Sequence, residues 1–383
     1  MAATDDQITQ AQLINWVMTE GPRQSSPSGL LQSFCLKMRE AGVRVDRCTL
    51  GAPILHPVAK SSFVFWDSDT GTHERWFTYA PDQLEMLKVS PIHKIYTLGE
   101  PSSLRLDQQH QRDLYPIGAD LWAEGYYQYD ALPLKFSDDT YKVLTLATKS
   151  SDGFSEADQR LIETTVPALT LVFEGFISRN TARTLMETYV GQRAGLRVLD
   201  GEIARGDGSS IDAVIWFSDL RGFTALAQSR SESDVLKTLN DYFGTVTEAI
   251  EDQSGEVLKF IGDAVLAIFP YEDDVHDAIA RAEAAVLKVL SSDAFQDDIK
   301  FGIGLHTGSV FYGNVGGGNR LDFTVIGNSV NVASRIEGLC SSLDTPILAS
   351  ADLASMSAKP WHSRGKHLLK GVTEPFEVFA LKV

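Results

Sequence analysis

Residues 213–224 read AVIWFSDLRGFT, and this stretch decides how the C-terminal half of the chain is interpreted. Residues 214–217 are all β-branched or aromatic, which predicts a buried strand. The strand delivers Asp219 to its end, and a helical pattern begins after the turn at 221–224. A carboxylate beside the free N–H groups of a helix N-terminus suits a metal-bound polyphosphate. The alternative is that Asp219 only caps the helix.

The composition is that of an acidic, globular chain. Its 383 residues allow about two or three domains, and 43% of them are hydrophobic. The net charge of −17 argues against a nucleic-acid or anionic-membrane partner, because both need clustered positive charge. No membrane segment is expected, since the apolar run 166–173 is shorter than the roughly 18 residues of a spanning helix. Cys35, Cys48 and Cys340 form no CxxC pattern, so a cytoplasmic protein is expected.

An α+β sensory domain is predicted for residues 28–176, after a polar N-terminal extension at 1–27. Ser28 is expected to cap a helix that ends at Gly42. The predicted strands are 43–50, 61–66, 75–79, 129–136 and 142–148. This order of elements resembles a GAF domain, and GFSEAD at 153–158 is similar to the GF(S/T)xxD start of the last GAF helix.

Some residues of this domain would suit an unknown small-molecule ligand. Four histidines are candidates for a haem or metal position, and six aromatic residues are candidates for lining a pocket. They are His56, His73, His93, His110, Trp66, Trp76, Trp122, Tyr126, Tyr127 and Tyr129. For each one, the alternative is an ordinary core aromatic or a solvated loop histidine.

A long helix is predicted from Ser155, with Asp158 at the third position of a capping box. Its apolar residues recur at steps of four and three, which is the rhythm of a seam between two helices. They are Ile162, Val166, Leu169, Phe173 and Phe176. Pro167 is expected to kink the helix. We interpret the seam as the start of a dimerising coiled-coil linker that continues through 177–207; the alternative is an amphipathic helix packed on its own domain.

Residues 208–383 have the element order of a ferredoxin-like plait. The predicted helices are 231–252, 273–290 and 329–338, and the predicted strands after 214–217 are 256–260, 264–269, 300–306, 309–315 and 321–325. One hairpin is expected to carry Asp263 at its tip, and a second is expected to turn at Thr307 and Gly308. A third hairpin joins 366–370 to 376–381.

Four blocks together resemble the catalytic domain of class III nucleotidyl cyclases. They are FSDLRGFT at 217–224, LKFIGDAVLAIF at 258–269, IGLHTGSVFYGNVG at 303–316 and DFTVIGNSVNVASRIE at 322–337. Their order within one domain makes the resemblance specific. The segment 183–208 is similar to the transducing linker that precedes such domains in bacterial cyclases. The resemblance implies an adenylate cyclase, which converts ATP to 3′,5′-cyclic AMP and pyrophosphate.

The reaction needs charge neutralised on both the attacking and the departing oxygens, which two metal ions achieve. The resemblance implies that two Mg²⁺ ions per site, replaceable by Mn²⁺, are bound by Asp219, Asp263 and the Leu220 carbonyl. It also implies that the β- and γ-phosphates rest on the backbone of three further residues. These are Gly222, Phe223 and Thr224. The alternatives are that Asp263 is only a turn residue and Asp219 only a cap.

The purine would be read by Lys259 and Thr324, as the resemblance implies. Lysine donates to adenine N1 and threonine accepts from the 6-amino group, whereas guanine offers the reverse pattern. This pair is similar to the Lys/Thr subgroup of class III cyclases, rather than to the commoner Lys/Asp pair. The alternative is an exposed strand lysine and an ordinary strand threonine.

Asn331 and Arg335 lie four residues apart and therefore on one helix face. The resemblance implies that Asn331 orients the ribose, that Arg335 stabilises the pentavalent α-phosphate, and that Lys370 binds the terminal phosphates. A salt-bridged surface position is the alternative for each.

In this family each site is built from two catalytic domains, so the single domain here predicts a homodimer with two equivalent sites. Two other functions remain open: a guanylate cyclase and a catalytically silent sensory dimer. A diguanylate cyclase is disfavoured, because its hairpin would carry GG(D/E)EF where this chain reads FIGDA.

Overall fold

The structure is a computed structural model that describes residues 8–292, 300–318, 320–370 and 374–382. The chain divides into two units, residues 1–185 and 186–383. Of the predicted N-terminal extension, residues 1–7 lie outside the described residues. The extension contains helix α1 (Gln10–Thr19), which begins with a capping box between Thr9 and Gln12.

The N-terminal unit contains a six-stranded antiparallel sheet, which together with its helices agrees with the predicted α+β class. Its strands are β1 (Arg47–Pro53), β2 (Ala59–Asp67), β3 (Gly71–Thr78), β4 (Ser102–Arg105), β5 (Gln128–Lys135) and β6 (Tyr141–Thr148). Their order across the sheet is β3-β2-β1-β6-β5-β4. All five predicted strands are present, with bounds shifted by up to four residues.

Helices cover both faces of this sheet. They are α2 (Pro27–Glu40), α3 (Pro81–Lys88), α4 (Pro91–Leu98), α5 (Gln109–Arg112), α6 (Pro116–Ala123) and α7 (Glu156–Val190). The expectation that Ser28 caps α2 is wrong, because Ser26 is the residue whose hydroxyl accepts the Gly29 N–H, at 3.1 Å. The four short helices α3 to α6 were not predicted, since each is too short to show a helical period.

The strands alternate between two cores. Cys48, Leu50 and Val64 face a core shared with α1, α2 and α7, whereas Phe63 and Tyr129 face a second core under α4 and α6. This alternation follows from the period of two along a strand.

Helix α7 begins with the predicted capping box, in which Asp158 accepts the Ser155 N–H at 2.9 Å. The prediction of a helix-pairing seam is wrong for residues 162–176, because these apolar side chains fill the core of their own unit. The helix is long and apolar enough to cross a membrane, yet 44% of its most apolar segment is buried inside the protein. A helix in the core of a protein can be equally long and apolar.

The C-terminal unit contains an eight-stranded sheet. Its strands are β7 (Gly208–Leu220), β8 (Glu256–Ile261), β9 (Ala264–Tyr271), β10 (Phe301–Gly317), β11 (Arg320–Ile326), β12 (Ile347–Ser350), β13 (Trp361–His367) and β14 (Phe376–Leu381). The helices are α8 (Gln192–Leu199), α9 (Phe223–Ser229), α10 (Glu232–Glu251), α11 (Val275–Leu290), α12 (Asn328–Ser342) and α13 (Ala351–Met356). The central order β10-β7-β9-β8, with α10 and α11 as crossovers, is the predicted ferredoxin-like plait.

The strand β7 is buried on both faces, as its apolar run indicates. Val214 and Trp216 face α10 and α11, while Ala213 and Ile215 face α8 and β11. Trp216 is fully buried, and its indole N–H donates to the Ser218 hydroxyl at 3.0 Å. The central position of β7 therefore fixes where Asp219 emerges.

The predicted hairpin at Thr307 and Gly308 is wrong, because β10 is one continuous strand that pairs with β7 through both residues. Gly308 instead permits close packing of α12, since a Cβ there would lie 2.4 Å from the Ser329 hydroxyl oxygen. Gly304 has the same role, with the Ala333 carbonyl 2.3 Å from the position of a Cβ. The true hairpin joins β10 to β11.

Candidate active site

Two carboxylates meet where β7 ends. Asp219 lies at the end of that strand, Asp263 lies at the tip of the β8–β9 hairpin, and the two carboxyl groups are close enough for Asp263 to raise the pKa of Asp219. Gly262 has φ +67° and so allows the tight turn that presents Asp263. Two neighbouring carboxylates repel each other, and a divalent cation bound between them would relieve that repulsion.

The electrostatics of this pair favour a cation. Burial, followed by the neighbouring Asp263, raises the pKa of Asp219 to about 7. The Leu220 N–H, which donates to Asp219 Oδ1 at 2.9 Å, opposes the rise. Among the described residues, no three or more His, Cys, Asp or Glu side chains are grouped as a metal site. Two carboxylates with ligands completed by substrate phosphates and water suit Mg²⁺.

Glu337, on helix α12, is a third acid near this pair and was not predicted from the sequence. Burial first, and then the charges of Asp219 and Asp263, raise the pKa of Glu337 to about 7, while Arg221 opposes the rise. Arg221 donates to the Thr345 carbonyl, and its Nε is buried without a partner among the described residues. The only signal in the sequence was an acid inside the block that also holds Arg335.

The turn after Asp219 has the predicted form. Gly222 has φ +72° and precedes α9, whose first helical hydrogen bonds run from the N–H groups of Ala225 and Leu226 to the Gly222 carbonyl, both at 3.1 Å. The N–H groups of Phe223 and Thr224 therefore come before the first bonded N–H of the helix. They are available for phosphate oxygens, although their role stays a prediction.

Lys259 and Thr324 lie on β8 and β11, which approach each other in the C-terminal unit. The Lys259 ammonium pairs with Asp322, two residues before Thr324 on the same strand face. The Thr324 hydroxyl is buried and has no partner among the described residues. A lysine and an unpartnered hydroxyl on two strands that approach each other fit the donors and acceptors of a purine edge. Asp322 was missed, although its spacing of two from Thr324 on a strand could have indicated it.

Asn331 and Arg335 share a face of α12 as predicted, and within the described residues neither makes a side-chain hydrogen bond or ion pair. Lys370 is exposed after β13, next to residues 371–373, which lie outside the described part. In the described residues, no hydrogen bond or ion pair joins the Asp219–Asp263 pair to Lys259, Thr324, Asn331 or Arg335. Within one chain, the candidate metal-binding residues therefore form one group, and the candidate base-reading and transition-state residues are not bonded to it.

Helix α8 is bonded to the strands that carry the base-reading candidates. Glu256 on β8 accepts the Ala194 N–H at 3.2 Å and the Tyr312 hydroxyl at 2.8 Å. Burial raises the pKa of Glu256, and the hydrogen bonds from Tyr312 and Ala194 oppose the rise. The Arg197 guanidinium lies 5.2 Å from the Tyr312 ring centroid and 5.5 Å from that of Phe323. The helix thus contacts β8, β10 and β11 at once.

Comparison with known proteins gives a family for this region. Residues 208–382 match the family model of the adenylate and guanylate cyclase catalytic domain. A protein described as adenylate cyclase from Anabaena cylindrica is 38% identical over 155 residues, covering 37% of this chain and 30% of the relative. The terminal-differentiation specific adenylate cyclase of Dictyostelium discoideum is 38% identical over 149 residues, covering 37% of this chain and 7% of the relative. The chain thus spans less than a third of the length of either relative.

Two solved cyclase structures are similar to part of this chain. The adenylyl cyclase CyaB from P. aeruginosa aligns with a TM-score of 0.41 and 24% identity, over 46% of this chain and 95% of that chain. A bacterial light-regulated adenylyl cyclase aligns with a TM-score of 0.46 and 24% identity, over 59% of this chain and 66% of that chain.

Proposed function

We propose that the protein is an adenylate cyclase that converts ATP to 3′,5′-cyclic AMP and pyrophosphate, because residues 208–382 match the family model of the adenylate and guanylate cyclase catalytic domain. Domains of this family act on a nucleotide, depend on a divalent metal and commonly form dimers. The observation that carries the proposal is the neighbouring pair of carboxylates, Asp219 and Asp263, at the end of the central strand. We further propose Mg²⁺ as the metal, with Mn²⁺ able to replace it.

In the proposed reaction, the ribose 3′-oxygen forms a bond to the α-phosphorus and loses its proton to solvent. The bond from the α-phosphorus to the bridging oxygen breaks, and pyrophosphate leaves. Divalent cations held by Asp219 and Asp263 would neutralise the charge on both oxygens. The N–H groups of Phe223 and Thr224 hold the terminal phosphates in place. Arg335 supplies a planar cation to the α-phosphate as its charge grows, and Asn331 orients the ribose.

We propose ATP rather than GTP because of the chemistry of Lys259 and Thr324. Lys259 can only donate, and adenine N1 accepts. Thr324 can accept from the 6-amino group of adenine or donate to the 6-oxygen of guanine. The preference for adenine therefore rests on Lys259, since only this residue faces an atom that is an acceptor in adenine and a donor in guanine.

Replacing Lys259 with glutamate is expected to reverse this preference. The carboxylate would accept from guanine N1–H but meet the N1 lone pair of adenine, so the ratio of kcat/KM for ATP to that for GTP should fall by at least about 100-fold. The change is made together with Asp322→Asn, because Asp322 would otherwise repel the new carboxylate. Turnover of both nucleotides is measured, and Asp322→Asn alone is the control. An unchanged ratio in the double variant would contradict the assignment of Lys259.

We propose that each site is shared between two copies of the chain. Apolar side chains flank the base-reading candidates, and about half of each is exposed: Phe260 49%, Ile261 48% and Ile326 48%. Large apolar side chains exposed next to a candidate site favour an interaction surface there. A second copy that covers them would bring its own Asp219 and Asp263 to the Lys259, Thr324 and Arg335 of the first. The product of such pairing is a homodimer with two equivalent sites.

We also propose that residues 28–176 form a GAF-like sensor and that residues 177–207 transmit its state to the catalytic domain. The support is that α8 lies within this linker and is bonded to Glu256, three residues before Lys259 on β8. A shift of α8 would move β8 and β11 together, and with them the purine site. We propose a cytoplasmic location, because ATP and Mg²⁺ are present there.

A further inference from the structure

A cavity of about 380 Å³ lies inside the N-terminal unit, between the sheet and three short helices. The sheet provides its floor through Thr49, Phe63, Phe77 and Thr145, and α3, α4 and α6 provide its roof. Of the aromatic residues that the sequence suggested for a pocket, Tyr129 lines the cavity. None of the four candidate histidines does. The volume is at the lower end of the range of small-molecule sites.

The sequence of the sheet explains why this space is open. Thr49, Ser61 and Thr145 are small, buried residues on the face that strand alternation turns toward the helices. Gly51 lies on the same face, where a Cβ would stand 2.2 Å from the Phe63 ring, so that ring lies against the bare backbone. Protein interiors are normally close-packed, and a space of this size inside a folded unit is therefore a feature to be explained.

The charge of the lining is opposite to that of the whole chain. The residues that line the cavity include three cations, Arg47, Lys60 and Arg75, and one acid, Asp120, in a protein of net charge −17. Arg47 is paired with Glu124 at 3.0 Å. Within the described residues, Lys60 and Arg75 have no carboxylate partner, and the Arg75 guanidinium lies 4.7 Å from the Phe77 ring centroid. Two cations without carboxylate partners therefore stand beside an apolar, aromatic wall.

We propose that this cavity binds a small organic anion, namely a flat apolar ring system that carries one carboxylate or phosphate group. The ring would pack on Phe63 and Phe77, and the anionic group would meet Arg75 and Lys60. Arg75 is the partner of Phe63 across the β2–β3 pair, and Phe77 is the partner of Ser61, so Arg75, Phe63 and Phe77 lie on one face of the sheet. Lys60 lies at the irregularity in the pairing between Ala59 and Ser61, at the rim of the cavity. The biological role of such binding rests on the proposed sensory function of residues 28–176. The binding experiment does not depend on that function.

Calorimetric titration of the full chain, without nucleotide or metal, tests the proposal with matched pairs of probes. The pairs are 2-naphthoate with 2-naphthamide and 2-naphthyl phosphate with 2-naphthol, which differ in the charged group. At least one anion should bind about tenfold or more tightly than its neutral counterpart, as expected for hydrogen bonds to a charged group. The anion that binds more tightly shows whether the cavity prefers a carboxylate or a phosphate group.

Arg75→Gln should weaken binding of that anion by about tenfold and leave the neutral probe unaffected. Arg179→Gln is the matched control, because its guanidinium lies 4.8 Å from the Phe176 ring centroid and outside the cavity. Thermal unfolding of each variant verifies the fold. Equal affinity for charged and neutral probes, no binding of either anion to the folded chain, or unchanged anion binding in the Lys60→Gln/Arg75→Gln double variant would each overturn the proposal.

The same titration on an Asp219→Asn chain separates this inference from the proposed activity. That variant should bind the anion as the wild-type chain does, whether or not it turns over ATP. Loss of anion binding in Asp219→Asn, with the fold intact, would contradict a site located in the cavity.

Discussion

Asp219→Asn is expected to lower kcat for cyclic AMP formation by at least about 1000-fold. The amide keeps the shape of the side chain but removes the negative charge that holds a divalent cation beside Asp263. Asp263 would then be the only carboxylate of the pair, and it cannot hold two cations alone. The measurement is steady-state production of cyclic AMP at saturating ATP and Mg²⁺, together with Mg²⁺ binding by calorimetry.

The matched control is Asp212→Asn, which removes an exposed carboxylate from the same strand at a distance from the pair. It should leave kcat and Mg²⁺ affinity unchanged. The wild-type enzyme should also need more Mg²⁺ for half-maximal rate as the pH falls below about 7, because protons then compete for Asp219. Full activity of Asp219→Asn, with the control behaving normally, would show that the metals lie elsewhere.

Arg335→Ala is expected to lower kcat by about 100- to 1000-fold while KM for ATP changes by less than about threefold. The reason is that the guanidinium has no partner in the described structure, and is therefore free to meet charge that develops only at the α-phosphate. Arg335→Lys should recover part of the rate, since an ammonium keeps the charge but loses the planar pair of donors.

Gly338→Ala serves as the control on the same helix, because a Cβ at Gly338 would meet open space. It should leave kcat unchanged and slightly stabilise α12. If Arg335→Ala instead raised KM with kcat unchanged, Arg335 would bind substrate and transition state equally, and the proposed role would be wrong.

Part of this architecture could be predicted from the sequence because local patterns determine it. The β-branched and aromatic run before Asp219 indicates a buried strand, and the tight turn around Gly262 indicates a hairpin with Asp263 at its tip. Gly308 was misread because a glycine that turns a chain and a glycine that admits a helix look alike in sequence. The seam in α7 was misread for a related reason. The same spacing of apolar residues occurs in a helix that packs on a second helix and in a helix that packs on the sheet of its own unit.

Other features depend on contacts between distant segments. The pairing of Lys259 with Asp322 spans 63 residues, and the hydrogen bond from Ala194 to Glu256 spans 62. Glu337 approaches the carboxylate pair only because Gly302 and Gly304 let α12 pack closely on β10. The cavity in the N-terminal unit likewise arises from short helices whose positions no local pattern determines.

Mixing the Asp219→Asn and Arg335→Ala chains tests most directly the central claim that two copies share each site. Each variant alone should be inactive, but a mixed dimer contains one site with an intact Asp219 from one chain and an intact Arg335 from the other. With free exchange of equal amounts of chain, about a quarter of wild-type activity should return. A mixture no more active than either variant alone, with mixed dimers demonstrated by two affinity tags, would contradict the shared site.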